Sequence, residues 1–420
     1  MTAQAPSEAK EPTRPPFLRR VLDDIVHGNS VVVTILAIVI ALFLGGLLIA
    51  FSDPAVLPKF GYFFAAPGDA LSAAWDSVAA AYSALFKGSI VDPSDISAYI
   101  NGSGTLSEVF YPICSTINQA TPLILAGLAV AIPFQAGMFN IGAQGQIVVG
   151  AILAGYLGFA LQLPIVLHLL VALLGGFVGG AVWGWIAGWL KARTGAHEVI
   201  TTIMLNYIAA SLLDFLLHKD AFQRPGRTDL VSPIVHPNAR LPQLAGAALP
   251  LNAGIIVALL AAAACAWLLN RSTLGFEFKA VGANPEAART AGMHVPRTYI
   301  LVMLIAGGLA GLASTAQVLG TDYFLSIGVY SGLGFNAITV ALLGRARPWG
   351  TVGAAFLFGA LQAGGTTMQA ATSTPVDVVT VIQALIVLFI AAPPLVRGIF
   401  RLKGARTGGE GRGLSRGWNG

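Results

Sequence analysis

Between Gln146 and Leu190 the chain carries no Asp, Glu, Lys or Arg. A run of that length cannot clothe a soluble globule, in which about a quarter of residues are charged. It is long enough for two helices that each cross about 30 Å of hydrocarbon, a task for about 20 residues apiece. Pro164 divides them, since a helix seldom continues through proline. The remainder has the same character: 55% of the 420 residues are hydrophobic and 10% are charged. Apolar runs predict about ten transmembrane helices, at 31–51, 107–133, 146–163, 165–190, 198–218, 249–270, 298–320, 328–344, 350–370 and 376–396. The expected fold is therefore all-α and polytopic, with a transmembrane region over 31–396 between a polar, basic tail (1–30) and a Gly- and Arg-rich disordered tail (397–420).

Charge fixes the expected orientation. With both termini cytoplasmic, only Lys59, Lys87, Lys219, Arg224, Arg227 and Arg240 of the 24 Lys and Arg fall outside, on two long extracytoplasmic segments, the first of them 52–106. The formal charge of +5 is thus explained by topology, and no nucleic-acid partner is implied. Ten spans with both ends inside divide into two five-helix halves of opposite direction, the pattern of an inverted repeat. Each half holds a Gly-rich, Asn-bearing break: Gly137-Met-Phe-Asn-Ile-Gly-Ala-Gln-Gly-Gln146 and Ser331-Gly-Leu-Gly-Phe-Asn336. Such breaks either line a wet path at membrane depth or turn between helices at the cytoplasmic rim. Gly176, Gly180, Gly184 and Gly188 recur on one helix face and predict a close approach of a second helix, inside the chain or from a second subunit.

No catalytic set is present. The dipeptide Gly-Lys never occurs, which excludes a P-loop, and HExxH is not found. Cys114 and Cys265 lie in apolar runs without metal-ligand spacing. Glu198, Asp214 and Asp377 fall near span ends, so no carboxylate relay sits at mid-membrane as a proton-coupled pump requires. An intramembrane transferase would need clustered acidic or His residues, and none cluster. The energy for any transport must come from elsewhere, and the loop 271–297 is where it would enter. Asn284 and Pro285 there read as the N-cap and first residue of a short helix, followed by Glu286, Ala287, Ala288 and Gly292. Such a helix offers a rigid knob to a soluble partner.

Four segments carry a family resemblance: Ala120-Thr-Pro-Leu-Ile-Leu-Ala-Gly-Leu-Ala-Val130, the Gly137–Gln146 break, His197-Glu-Val-Ile-Thr-Thr-Ile-Met-Leu-Asn-Tyr-Ile208 and Ala280-Val-Gly-Ala-Asn-Pro-Glu-Ala-Ala-Arg-Thr-Ala-Gly292. Over about 105–397 the chain resembles permease subunits of bacterial ABC importers of the simple-sugar and nucleoside type, relatives of ribose and branched-chain amino-acid permeases. It departs from them at Gln144, where acidic residues are frequent, and at Gln135, where Arg is expected. The resemblance implies a multi-pass inner-membrane protein working as a homo- or heterodimer. It implies ATPase subunits, which would use ATP and Mg and dock around Glu286, while this chain itself binds no cofactor or metal. It further implies an extracytoplasmic binding protein or lipoprotein that delivers the cargo. The amphipathic stretch Asp69–Lys87 would lie on the membrane surface to seat that protein, or else pack as an ordinary helix.

A small neutral polar cargo calls for amides, hydroxyls and aromatic faces along its path. Asn140, Gln144, Gln146, Asn206, Tyr207, Phe335 and Asn336 have that chemistry, and each is also suited to bonding between helices. Branched-chain amino acids as cargo, or coupling to an ion gradient instead of ATP, are the alternatives; a zwitterion would favour a charged site.

Overall fold

The computed structural model describes residues 30–400 apart from 331 and 373, so the tails 1–29 and 401–420 and Ser331 lie outside the described residues. Among the described residues the chain is helical, with only isolated bridges such as Val231 to Ser326 in place of strands. The principal helices are α1 (Ser30–Ser52), α2 (Pro67–Ser89), α3 (Leu106–Gln135), α4 (Ala143–Ala160), α5 (Ile165–Thr194), α6 (Glu198–Leu217) and α7 (Gly254–Arg271). They continue as α8 (Thr273–Ala283), α9 (Pro285–Thr290), α10 (Val295–Val318), α11 (Leu333–Leu343), α12 (Pro348–Thr372), α13 (Asp377–Ala391) and α14 (Pro393–Ile399).

Seven of these, α1, α3, α4, α5, α6, α7 and α10, are long and apolar enough to cross a membrane; α13 and α14, bent by 92° at their junction, make an eighth if taken as one span. The expected span at 328–344 is not a continuous helix. A 3-10 turn over Ile327–Tyr330 gives way to Gly332 in the left-handed region (φ 75°), and α11 then runs for 11 residues, about half the length that crosses a bilayer. The loop 271–297 differs too. It holds a second helix, α8, started by Ser272, whose hydroxyl accepts the Gly275 N–H at 3.0 Å, and pinned by the fully buried Phe278.

Helix α2 does not lie free on a surface. Its face of Ala81, Ala84 and Gly88 is buried; Leu85 and Gly88 meet Gly364 and Thr367 of α12, and the Tyr82 hydroxyl donates to Leu42 O of α1. Small residues let its backbone approach where a larger face would have stood off. At its edge the Ser77 hydroxyl (2.6 Å) and the Ala55 N–H hold the Asp53 carboxyl below the usual carboxylate range.

The core packing repeats under exchange of two halves. As α10 packs on α5, so α3 packs on α12; as α4 meets α10, so α11 meets α3; α4 and α11 contact each other at the centre. The α5–α10 contact is the tightest. Gly176, Gly180 and Gly184 face Gly311, Gly307 and Met303, and a Cβ on Gly180 would overlap Gly307 O. Backbone therefore lies on backbone where Gly180 crosses Gly307 and Gly311, with the Thr315 methyl beside Gly176.

Candidate coupling and translocation sites

Proline explains why Asn140 is where it is. Pro133, inside the last turn of α3, has no N–H to give to the carbonyl of Ala129 four residues earlier. Asn140 Nδ2 donates to that orphaned oxygen at 3.1 Å and also to Gln146 Oε1 at 2.9 Å, while Gln146 Nε2 returns a bond to Asn140 Oδ1 at 3.1 Å. Both side chains are 1% exposed. Asn206 does the same service for the start of α4: its Oδ1 accepts the first-turn Gly145 N–H (2.8 Å) and its Nδ2 donates to Ile141 O (3.0 Å). These three amides hold the break in shape, and their bonding groups are already engaged. Asn140→Leu would strand the buried Gln146 amide and the Ala129 carbonyl. It is expected to cost about 1–3 kcal/mol per stranded group and to lower the melting temperature of the purified chain, which differential scanning fluorimetry measures.

The other path candidates are placed differently. Gln144 opens α4 and Gly334 opens α11, and the two first turns abut: a Cβ on Gly334 would lie 2.9 Å from Gln144 Cα. Helices from the two halves thus meet N-terminus to N-terminus. Gln144 and Asn336 are half-buried there, Phe335 is 62% exposed beside them, and Tyr207 is 69% exposed on α6. Gln135 bridges to the turn between α11 and α12, donating to Ala346 O at 2.8 Å in a turn where Arg345 and Ala346 both have positive φ. An amide suffices for that contact.

The knob is built as its sequence dictates. Asn284 Oδ1 accepts the N–H groups of Glu286 (3.0 Å) and Ala287 (3.1 Å), Pro285 supplies the first turn, and Gly292 ends it with φ 85°. Glu286 and Arg289 pair at 3.0 Å in solvent, and Ala287 is exposed beside them. Ala288 faces the other way, buried against Val281 and Val295, so it anchors the knob and offers nothing to a partner. Gly282, in α8, packs on the Gln135–Ala136 backbone at the end of α3, which seats the knob against the same end of the bundle as the break.

One pair escaped the sequence reading. Glu198 does not stand free at its span end: it is 7% exposed and its Oε2 lies 2.6 Å from Lys191 Nζ. The seven-residue spacing across the Gly195 turn, which has φ 69°, was the available signal.

At the opposite end, the segment 218–253 is stitched down by Ser232 N–H to Leu325 O (2.9 Å), Leu241 N–H to Leu319 O (2.8 Å) and Asn252 Nδ2 to Asn118 Oδ1 (3.0 Å). In the loop it covers, burial pushes the Asp322 carboxyl up against the bond it accepts from Gln317. Among the described residues no group of His, Cys, Asp and Glu is placed to hold a metal ion.

Residues 113–391 match the family described as the permease component of the branched-chain amino acid transport system. Among curated proteins, the chain is 37% identical to a guanosine ABC transporter permease protein of Bacillus subtilis, over 78% of this chain and 91% of that one. It is 39% identical to a nucleoside ABC transporter permease protein of Lactococcus lactis (66% and 79%) and 36% identical to a glucose ABC transporter permease protein of Haloferax volcanii (71% and 80%). No solved structure matches the chain significantly.

Proposed function

The chain belongs to the family of branched-chain amino acid transport permease components, and from that premise we propose that it carries a nucleoside or simple sugar inward, with ATP hydrolysed by a partner docked on α9. It is a multi-pass plasma-membrane permease subunit of an ABC transporter and not itself an enzyme. Such a system includes an ATPase and a substrate-binding protein.

The observation that carries the coupling half is the solvent-facing knob of Glu286, Ala287 and Arg289, capped by Asn284 and seated on the end of α3. ATP binding and hydrolysis would move the docked knob and shift the relative stability of two permease states, each open to a different side. In this reading the chain, with both termini inside, forms two inverted halves, and two permease subunits enclose the path. The half-buried amides of Gln144 and Asn336, with the Phe335 and Tyr207 rings, would face it, and the 218–253 side would receive the binding protein.

Neutral cargo suits that set. The four side chains are amides and aromatic rings, which match the hydroxyls and bases of nucleosides or sugars better than a zwitterion. Uptake of labelled guanosine, glucose and leucine into vesicles bearing the whole transporter tests the assignment. Accumulation of guanosine or glucose is expected; accumulation of leucine alone would replace the cargo with a branched-chain amino acid.

A further inference from the structure

Four contacts run in series from the α9 knob to the α3–α4 break. Ala288 is buried with Val281 and Val295, and Tyr299 of α10 packs on that cluster. The Lys191 ammonium lies 5.2 Å from the centroid of the Tyr299 ring. Lys191 grips Glu198 at 2.6 Å, and Glu198 opens α6, whose Thr202 lies against Gly142 and whose Asn206 bonds Gly145 and Ile141 in the break. A carboxylate this buried is tolerated only while Lys191 stays on it, because losing that partner leaves its charge without compensation. The end of α5, the start of α6 and the break are thereby constrained to move together, and Tyr299 ties the same lysine to the seat of the knob.

We infer that the Lys191–Glu198 pair is a positioning element that passes displacement of the knob to the break, and through it to the abutting first turns of α4 and α11. This rests on the transport reading above. A pair that merely closed the α5–α6 turn would need only opposite charges at 191 and 198. A transmitting pair needs the ammonium at 191, since a carboxylate there would be repelled by the face of the Tyr299 ring.

The charge-swapped double variant Lys191→Glu/Glu198→Lys separates the two roles. The whole transporter, with its ATPase and binding protein, is reconstituted in proteoliposomes, and cargo accumulated per ATP hydrolysed is measured. ATPase co-purification and the melting temperature are read in parallel. Glu198→Ala is expected to keep its ATPase bound and hydrolysing while cargo per ATP falls about tenfold or more. The swapped variant should regain the melting temperature lost in Glu198→Ala yet keep the low ratio. Recovery of cargo per ATP together with stability in the swap, or an unchanged ratio in Glu198→Ala, overturns the inference. Should neither assemble, Tyr299→Leu leaves the ion pair in place but removes the ring beneath Lys191, and an unchanged ratio there is equally fatal. A wild-type transporter that accumulates cargo without ATP would sink the transport reading instead, and does so before any variant is made.

Discussion

Gly180→Leu is expected to abolish recovery of folded protein. At this position a Cβ would already overlap Gly307 O, and Gly311 backbone atoms lie just beyond, so the obstruction is main chain and cannot turn aside. The reciprocal glycine, Gly307, is equally tight against Gly180 O. Overpacking that side chains absorb by changing rotamer costs about 1–3 kcal/mol. Here α5 and α10 must separate along the whole seam and forfeit dispersion contacts over several turns, which places the loss above about 4 kcal/mol, most of the stability of an ordinary domain. Gly180→Ala should show the same defect in milder form. Gly353 in α12 supplies the control: nothing lies within 4 Å of its Cβ position, so Gly353→Ala should fold normally or gain slightly from helix propensity. Fluorescence-detected size-exclusion chromatography with melting curves in detergent measures all three. Normal yield and melting temperature for Gly180→Leu would mean that the two helices do not meet through this face.

Glu286→Lys should leave the permease intact and stop it from using ATP. The Glu286–Arg289 pair is solvent-exposed, at 77% and 62% for the two side chains, and pairs of that kind contribute about 0–1 kcal/mol to stability. The helix cap from Asn284 and the anchor at Ala288 are untouched, so the knob keeps its shape. What changes is the surface offered to the partner. A central charge reversal in a docking contact costs about 2 kcal/mol or more, roughly thirtyfold in affinity. The ATPase is therefore expected to fall away during purification, with ATP-driven uptake lost in parallel and the melting temperature of the permease unchanged. Retention of the ATPase with full uptake would place docking elsewhere on the chain. This outcome differs in kind from that expected for Glu198→Ala, in which the ATPase stays and its work is wasted.

The span-forming helices were legible because apolar length is a one-dimensional property of the chain. The boundaries of α1, α3 and α6 fall within about two residues of the apolar runs, at the ordinary uncertainty of helix ends. The knob was legible for another reason: Asn284 and Pro285 act on their immediate neighbours, so cap chemistry needs no tertiary knowledge. What escaped depended on contacts between distant segments. Asn140 and Gln146 have the composition of a polar path, and only the missing N–H of Pro133, read together with the fold, reveals them as locks. Glu198 stands where a cap residue would, and its burial comes from Lys191 closing over it. The half-length α11 escaped because 328–344 reads as one span although the Ser331–Asn336 break lies within it, where Gly332 sets a left-handed turn. Helix α2 has an even mix of small and polar residues, and which face packs is decided by Gly364 of α12, far along the chain.

On the function proposed above, the membrane bundle borrows its force through the α9 knob between α8 and α10. The direct measurement is uphill accumulation of cargo in proteoliposomes holding the permease with or without its ATPase and binding protein, with ATP supplied or an imposed ion gradient. Accumulation only with the ATPase and ATP present is the result the account predicts. Accumulation by the permease alone on an ion gradient would contradict it.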